Sequence, residues 1–336
     1  MMKVNVEKEP LQEVIDQVVK KTLAMDLTWD WPCGVAYYGV TKAYEVTGKE
    51  EYLRQLKTWT QEYIDLGLPN WNVNTCAMGH MLLTLYEESG DAKYWELIQS
   101  KLDYLKNHAL RFGERVLQHT VADDNTFPEQ AWADTLFMAV LFMLRVGVRE
   151  KDEDLIQDAL NQYVWHIRFL QDPKSGLWYH GYSHVQKGNL SGFHWGRANA
   201  WAAYTMSCVK KLLVDWYLYP QCMEIECALR DQLAGLKSLQ SEDGLWRTLL
   251  DDEGSYEEVS ASAGIAAAMV NNGNILHSKY VQKAFEGVLE NITQDGRVMN
   301  VSGGTAVMKN REGYCNIPRN WIQGWGQGLA LTFLST

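Results

Sequence analysis

Asp134 stands inside an aromatic and aliphatic run, Glu129-Gln130-Ala131-Trp132-Ala133-Asp134-Thr135-Leu136-Phe137-Met138-Ala139. An uncompensated charge there is expensive. A carboxyl held against Trp132 and Phe137 tends to keep its proton, because desolvation disfavours the ionised form. A raised pKa is what a general acid requires. The same residue also suits a helix start, where a carboxylate accepts backbone N–H groups ahead of the apolar run 140–144. The residues alone leave both readings open. The chain also carries 14 Trp and 17 Tyr, several beside Gly, Asn, His or Arg. Flat aromatic faces in polar company suit sugar rings, which offer C–H faces and hydroxyl edges; the rest serve as core filler.

A site of this kind needs elements to hold it. Apolar residues recur three and four apart at 11–19, 52–66, 78–88, 94–108, 134–146, 155–170, 197–216, 225–239, 260–271, 278–292 and 324–334, so these segments are predicted as helices. Segments 115–119 and 176–179 are expected to form short hairpins in loops. Two connections, Thr47-Gly48-Lys49-Glu50 and Ser89-Gly90-Asp91-Ala92, share a Gly stop followed by an acidic helix start. Three others, at 170–178, 239–246 and 292–298, share a polar turn with Gly and then an apolar or aromatic residue returning inward. Recurrence of one connection type means stacked helical hairpins. The expectation is an all-α fold, an (α/α)6 toroid of six helical hairpins, forming one domain over 1–336. Its long inner-end loops would line a central pocket.

Composition narrows the function. The formal net charge is −11, with 42 acidic against 31 basic residues and no Lys/Arg block, which argues against a nucleic-acid partner. No run of eighteen apolar residues occurs, and residues 1–8 lack the apolar core of a secretion signal. No membrane partner and a cytoplasmic location are therefore expected. Cys33, Cys76, Cys208, Cys222, Cys227 and Cys315 show no CxxC spacing, so reduced thiols are expected rather than a disulfide framework or a zinc knuckle. Neither Cys33 nor Cys76 has a paired His that would mark a nucleophile.

Trp132-Ala133-Asp134-Thr135-Leu136-Phe137-Met138, the loop Gln171-Asp172-Pro173-Lys174-Ser175-Gly176-Leu177-Trp178-Tyr179-His180-Gly181 and Trp195-Gly196-Arg197-Ala198-Asn199-Ala200-Trp201 occur in that order. Together they resemble the unsaturated glucuronyl and rhamnogalacturonyl hydrolases of glycoside hydrolase families 88 and 105, family 105 more closely. The resemblance runs from Trp31 and Gly34 through Ser302-Gly303-Gly304-Thr305 to Trp325-Gly326-Gln327-Gly328. It implies an anionic oligosaccharide substrate from pectin or rhamnogalacturonan bearing a 4,5-unsaturated uronic acid, and no cofactor or metal. It also implies that one aspartic acid protonates the enol ether at C4 and then activates the water that adds at C5. That residue would be Asp134, acting as acid and base. By the same resemblance His180 would contact the sugar or the water. Trp195 and Trp201 would wall the ring, and Arg197 would hold its carboxylate in a bidentate fork. His119, preceding the acid across the longer spacer 121–127, and Tyr37 complete the implied binding set. Trp31 is assigned to the core.

One position departs from the family pattern. Its second aspartate falls in Asn70-Trp71-Asn72-Val73-Asn74-Thr75-Cys76-Ala77-Met78-Gly79, where alignment on Gly79 puts Asn74, or Asn72 after a slip, in its place. An amide keeps hydrogen-bonding capacity and loses the charge. Two other readings follow. A degenerate sugar-binding relative would explain the lost acid, and a sugar epimerase or isomerase on the same toroid could use His180, His184 and His194 as acid and base. A zinc site from those three histidines lacks a fourth ligand.

Overall fold

The computed structural model describes residues 8–122 and 127–336. Residues 1–7, which entered the signal-peptide reading, and part of the 121–127 spacer lie outside the described residues. Helices follow one another in pairs: α1 (Lys8–Leu23) with α2 (Trp31–Thr47), α3 (Glu50–Leu66) with α4 (Met78–Ser89), and α5 (Ala92–Asp103) with α6 (Leu141–Glu150). The series continues with α7 (Glu153–Leu170) and α8 (Gly196–Leu212), then α9 (Pro220–Lys237) and α10 (Val259–Asn272). In the last pair, α11 (Ser278–Glu290) is separated from α13 (Gly324–Leu334) by the short α12 (Arg311–Cys315). This is the expected toroid of six hairpins.

The two helices of each pair differ in a way that sorts them into layers. The first helix buries one stripe, as α3 does with Tyr52, Leu53, Leu56 and Thr60. The second is buried nearly all round, as in α8 from Gly196 to Val209 and throughout α13. A helix apolar on every side belongs inside other helices. Accordingly α2 packs on α4, α4 on α6, α6 on α8, α8 on α10, α10 on α13, and α13 back on α2, closing an inner ring. The closure is tight. A Cβ on Gly328 would lie 2.1 Å from Val35 O, and one on Gly39 would lie 2.4 Å from Gly328 O. No larger residue fits where α2 and α13 cross.

The recurrent polar turn has a physical role. Gly176, Gly244 and Gly296 adopt φ of +75°, +81° and +79°. A Cβ at each would meet the backbone of the next outer helix: Asp231 O on α9, Lys283 O on α11 and Gln17 O on α1. Two residues after each glycine, the backbone N–H of Trp178, Trp246 or Val298 donates to Asn199, Ser262 or Gln327 near the start of an inner helix. Each turn thus ties one hairpin to the next.

Because every inner helix follows an outer one, all six inner N-termini point to one end of the ring. Three differences from the sequence reading appear there. Segment 31–47, not predicted as a helix, is α2. Short strands were expected only as hairpins at 115–119 and 176–179. The first forms β1 (Arg111–Phe112) with β2 (Val116–Leu117), and the second is reduced to the single bridge between Gln171 and Trp178. A three-stranded antiparallel sheet of β3 (Gln130–Trp132), β4 (Gly181–Ser183) and β5 (Gly188–Asn189) was not anticipated. It pairs Trp132 with Gly181 and so brings the Asp134 segment beside His180.

Candidate active site

Asp134 begins an inner helix directly after β3, but its buried Oδ2 accepts no backbone N–H. Ala133 N–H donates to His180 O at 3.1 Å, which fixes the chain just before the carboxylate. Beyond it, Leu141 N–H reaches back five residues to Leu136 O, a π-turn over Leu136–Val140. Such widened turns recur at functional sites.

The carboxylate faces His180. Asp134 Oδ2 lies 3.3 Å from His180 Nε2, an ion-pair separation off the line of a good hydrogen bond, and neither atom has another partner. The Asp134 side chain is 15% exposed and that of His180 is closed off. Around the pair, His119 stacks on Trp132 at 4.5 Å and 11°, and its Nδ1 bonds to Thr135 Oγ1 at 3.0 Å. Trp195 lies against His180 at 4.1 Å.

The charge state differs from the sequence expectation. Burial pushes the Asp134 pKa up, but His180, then His119 and Arg197, outweigh it and hold the carboxyl below its usual value. Burial lowers the His180 pKa, with Arg197 adding to the effect and Asp134 opposing it. His119 is pushed down to about 4, mainly by burial. At neutral pH Asp134 is therefore ionised beside imidazoles held below their usual pKa, rather than carrying a resident proton.

Three residues with implied binding roles are buried among protein partners. Arg197 is buried, 1% exposed, with its donors spent on Ser302 Oγ (2.7 Å), Gly303 O (2.9 Å), Thr305 Oγ1 (3.2 Å) and Glu258 Oε1 (3.5 Å). Its fork props the 302–305 loop and is not free for a substrate carboxylate. Trp201 is fully buried against Phe137 at 4.9 Å, so it backs the site without walling it. Tyr37 stands edge-on to Trp59 at 4.9 Å with its hydroxyl beside Cys33, a core position. Trp31 stacks on Trp325 at 4.5 Å.

Asn74 opens a turn (Asn74–Ala77) ahead of α4; its backbone N–H donates to Thr120 O at 3.1 Å, beside His119. Its side-chain Oδ1 is buried without a partner. Asn72 instead accepts from Thr75 N–H at 2.9 Å, which is a structural turn. Lys101, fully buried, donates to Thr75 O at 3.1 Å and lies over Trp71 at 3.5 Å. The same segment forms one wall of a 710 Å³ cleft lined by Trp29, Asp30, Tyr63, Asn70, Asn72 and Thr75.

The other histidines are dispersed. His194 pairs with Asp251 at 2.8 Å, and His184 packs on Phe112 at 5.3 Å. Among the described residues no group of three His, Cys, Asp or Glu is placed to hold a metal ion. Cys33 and Cys76 are buried and their thiols are pushed up, that of Cys76 to about 12. Two residues escaped the sequence reading. Glu258 caps α10 through Ala261 N–H and also accepts from Ser302 N–H at 2.9 Å. An acid directly before a small-residue helix was the available signal. Tyr314 carried none.

Residues 4–336 match Glycosyl Hydrolase Family 88. The chain belongs to this family. The family 88 chain is 52% identical over 330 residues to the unsaturated rhamnogalacturonyl hydrolase YesR of Bacillus subtilis, covering 98% of this chain and 95% of that protein. It is 25% identical over 293 residues to an unsaturated 3S-rhamnoglycuronyl hydrolase of Formosa agariphila, covering 80% and 75% of the two chains. Among solved structures, a possible family 105 member from Salmonella enterica superposes with a TM-score of 0.93 at 27% identity, over 98% of this chain and 94% of that one. Among the described residues of the family 88 chain, no helix is long and apolar enough to cross a membrane.

Proposed function

We propose that this chain hydrolyses saccharides ending in a 4,5-unsaturated uronic acid, with an unsaturated rhamnogalacturonan disaccharide from pectin as the substrate. The carrying observation is the Asp134–His180 pair, a carboxylate 3.3 Å from a buried imidazole among Trp132, Trp195 and His119. The high identity to a hydrolase of that name supports the substrate class.

The ionised resting state fits this chemistry once the ligand's charge is counted. Seating an anionic sugar beside Asp134 adds a like charge and removes water, and both raise a carboxyl pKa. Asp134 then takes up a proton as substrate binds. It delivers that proton to C4, positive charge develops at C5 and the ring oxygen, and the new carboxylate accepts a proton from water as the water oxygen bonds to C5. The hemiketal opens and releases the second sugar. Inner-helix N-termini converging on the Asp134 end of the ring favour an anion.

The test is incubation with an unsaturated rhamnogalacturonan disaccharide while following ultraviolet absorbance of the C4=C5 bond conjugated to its carboxylate. Hydration removes the chromophore. Persistence of the absorbance on every unsaturated sugar tried would refute the reading.

A further inference from the structure

Tyr314 completes the site from its far side. It lies fully buried in α12, with its ring 5.9 Å from His180, 6.1 Å from Phe193 and 6.3 Å from Trp195. Its hydroxyl is 3.0 Å from His180 Nδ1, the ring nitrogen opposite the one that faces Asp134. A phenol can donate or accept, and its surroundings decide which. The Ser191 hydroxyl lies near the phenol oxygen, but the carboxylate decides the direction: an ionised Asp134 only accepts, so the proton of a neutral His180 lies on Nε2 and Nδ1 is left as an acceptor. The phenol's own hydrogen is thereby left for His180. Burial pushes the Tyr314 pKa up to about 12, so that hydrogen stays in place at neutral pH.

We propose that Tyr314 is a positioning residue for the hydration reaction: by donating to His180 Nδ1 it keeps that imidazole neutral, with its proton on Nε2 directed at Asp134. The inference rests on the reading of Asp134 as acid and base. A neutral His180 gives Asp134 one donor, whereas an imidazolium would add a full positive charge and hold the carboxylate ionised. An ionised Asp134 has no proton for C4. In the step itself the Asp134 O–H bond breaks as C4–H forms, the electron pair coming from C4=C5. A water proton later returns to Asp134 while the water oxygen binds C5. His180 keeps its single proton throughout. The other groups facing this pair are His119, with His166 behind it, and Arg197, with Glu258 and Tyr256 behind it.

Tyr314→Phe removes the donor and keeps the ring. Losing it stabilises the protonated imidazole, so the alkaline limb of kcat should move to lower pH by about one unit. Turnover at neutral pH should then fall about ten-fold, one pKa unit being a factor of ten in the protonated fraction, with KM little changed. In ¹⁵N NMR the wild-type His180 signal, assigned by its loss in His180→Gln, should show a protonated Nε2 and a bare Nδ1. In the Phe variant the second nitrogen should take up its proton at a higher pH than in wild type. Ser191→Ala, which loosens the phenol without touching its ring, should shift the limb in the same direction by less. An active Tyr314→Phe enzyme whose pH profile superimposes on wild type would overturn the proposal alone, as would a wild-type spectrum with the proton on Nδ1. A wild type that leaves the chromophore intact would instead sink the hydrolase reading beneath it.

Discussion

Asp134→Asn keeps the shape of the side chain beside His180 and removes the transferable proton, so turnover should drop ~10²–10⁴-fold with little change in melting temperature. A variant keeping most of its activity in the absorbance assay would take Asp134 out of the mechanism. For Asn74 the structure favours one of two outcomes. Its Oδ1 is buried without a donor, so a carboxylate in Asn74→Asp would find none either. The expected result is a lower melting temperature without faster turnover, because an unpaired buried charge is costly. A rise in turnover would mean that the pocket still has a place for a second anion. Arg197→Met should cost about 3–5 kcal/mol, since it leaves Glu258 without its buried cation. It should slow the enzyme on anionic and neutral analogues alike; a loss confined to anionic ones would restore the carboxylate-fork role. Asp134 was legible because a charge in an aromatic run is conspicuous within a few residues. The commitment of Arg197 was not, since its partners Glu258 and Ser302 lie 61 and 105 residues away.

Helices with one buried stripe were readable from periodicity, and the repeated Gly turns gave away the hairpin stacking. α2 escaped because it is an inner helix, buried from Cys33 to Thr41, and interrupted by Gly34 and Gly39, so it shows no apolar stripe. The sheet that presents Asp134 escaped because strands of two and three residues carry no measurable alternation. The turn glycines allow a controlled test of element packing. Gly244 and Gly48 both have positive φ, +81° and +66°, but only at Gly244 would a Cβ strike backbone, 2.2 Å from Lys283 O. Gly48 has open space there. Gly244→Ala should therefore lower the melting temperature by several degrees more than Gly48→Ala, which carries the φ penalty alone. Equal losses would show that the turn does not bear on α11.

Across the whole molecule, buried histidines couple stability to pH, His80, His119 and His166 most clearly. Burial pushes His80 down to about 3 and His119 and His166 down to about 4. His80 is held neutral by two partners, its Nε2–H donating to Phe137 O and its Nδ1 accepting from Arg145. Their unfolded pKa is near 6.5. Below that value the unfolded chain binds protons that the folded chain refuses, so stability rises with pH in this window. The melting temperature should be level above about pH 7 and fall progressively from about 6.5 toward 4, at up to roughly 1.4 kcal/mol per unit for each histidine. His166→Gln should remove part of that slope, the rest staying with the other buried histidines; an unchanged slope would mean that His166 takes its proton inside the fold. The way the inner ring closes carries one more consequence, for synthesis. Gln327 donates to Thr22 Oγ1 and to Gly296 O in the turn after α11, and Gly328 abuts Val35, so α13 is the wedge between the first two helices and α10. A chain emerging from the ribosome exposes the apolar flanks of α2 and α10 for as long as α13 is untranslated. Nascent chains stalled before residue 324 should accordingly recruit chaperones and remain open to protease, and emergence of α13 should end both at once.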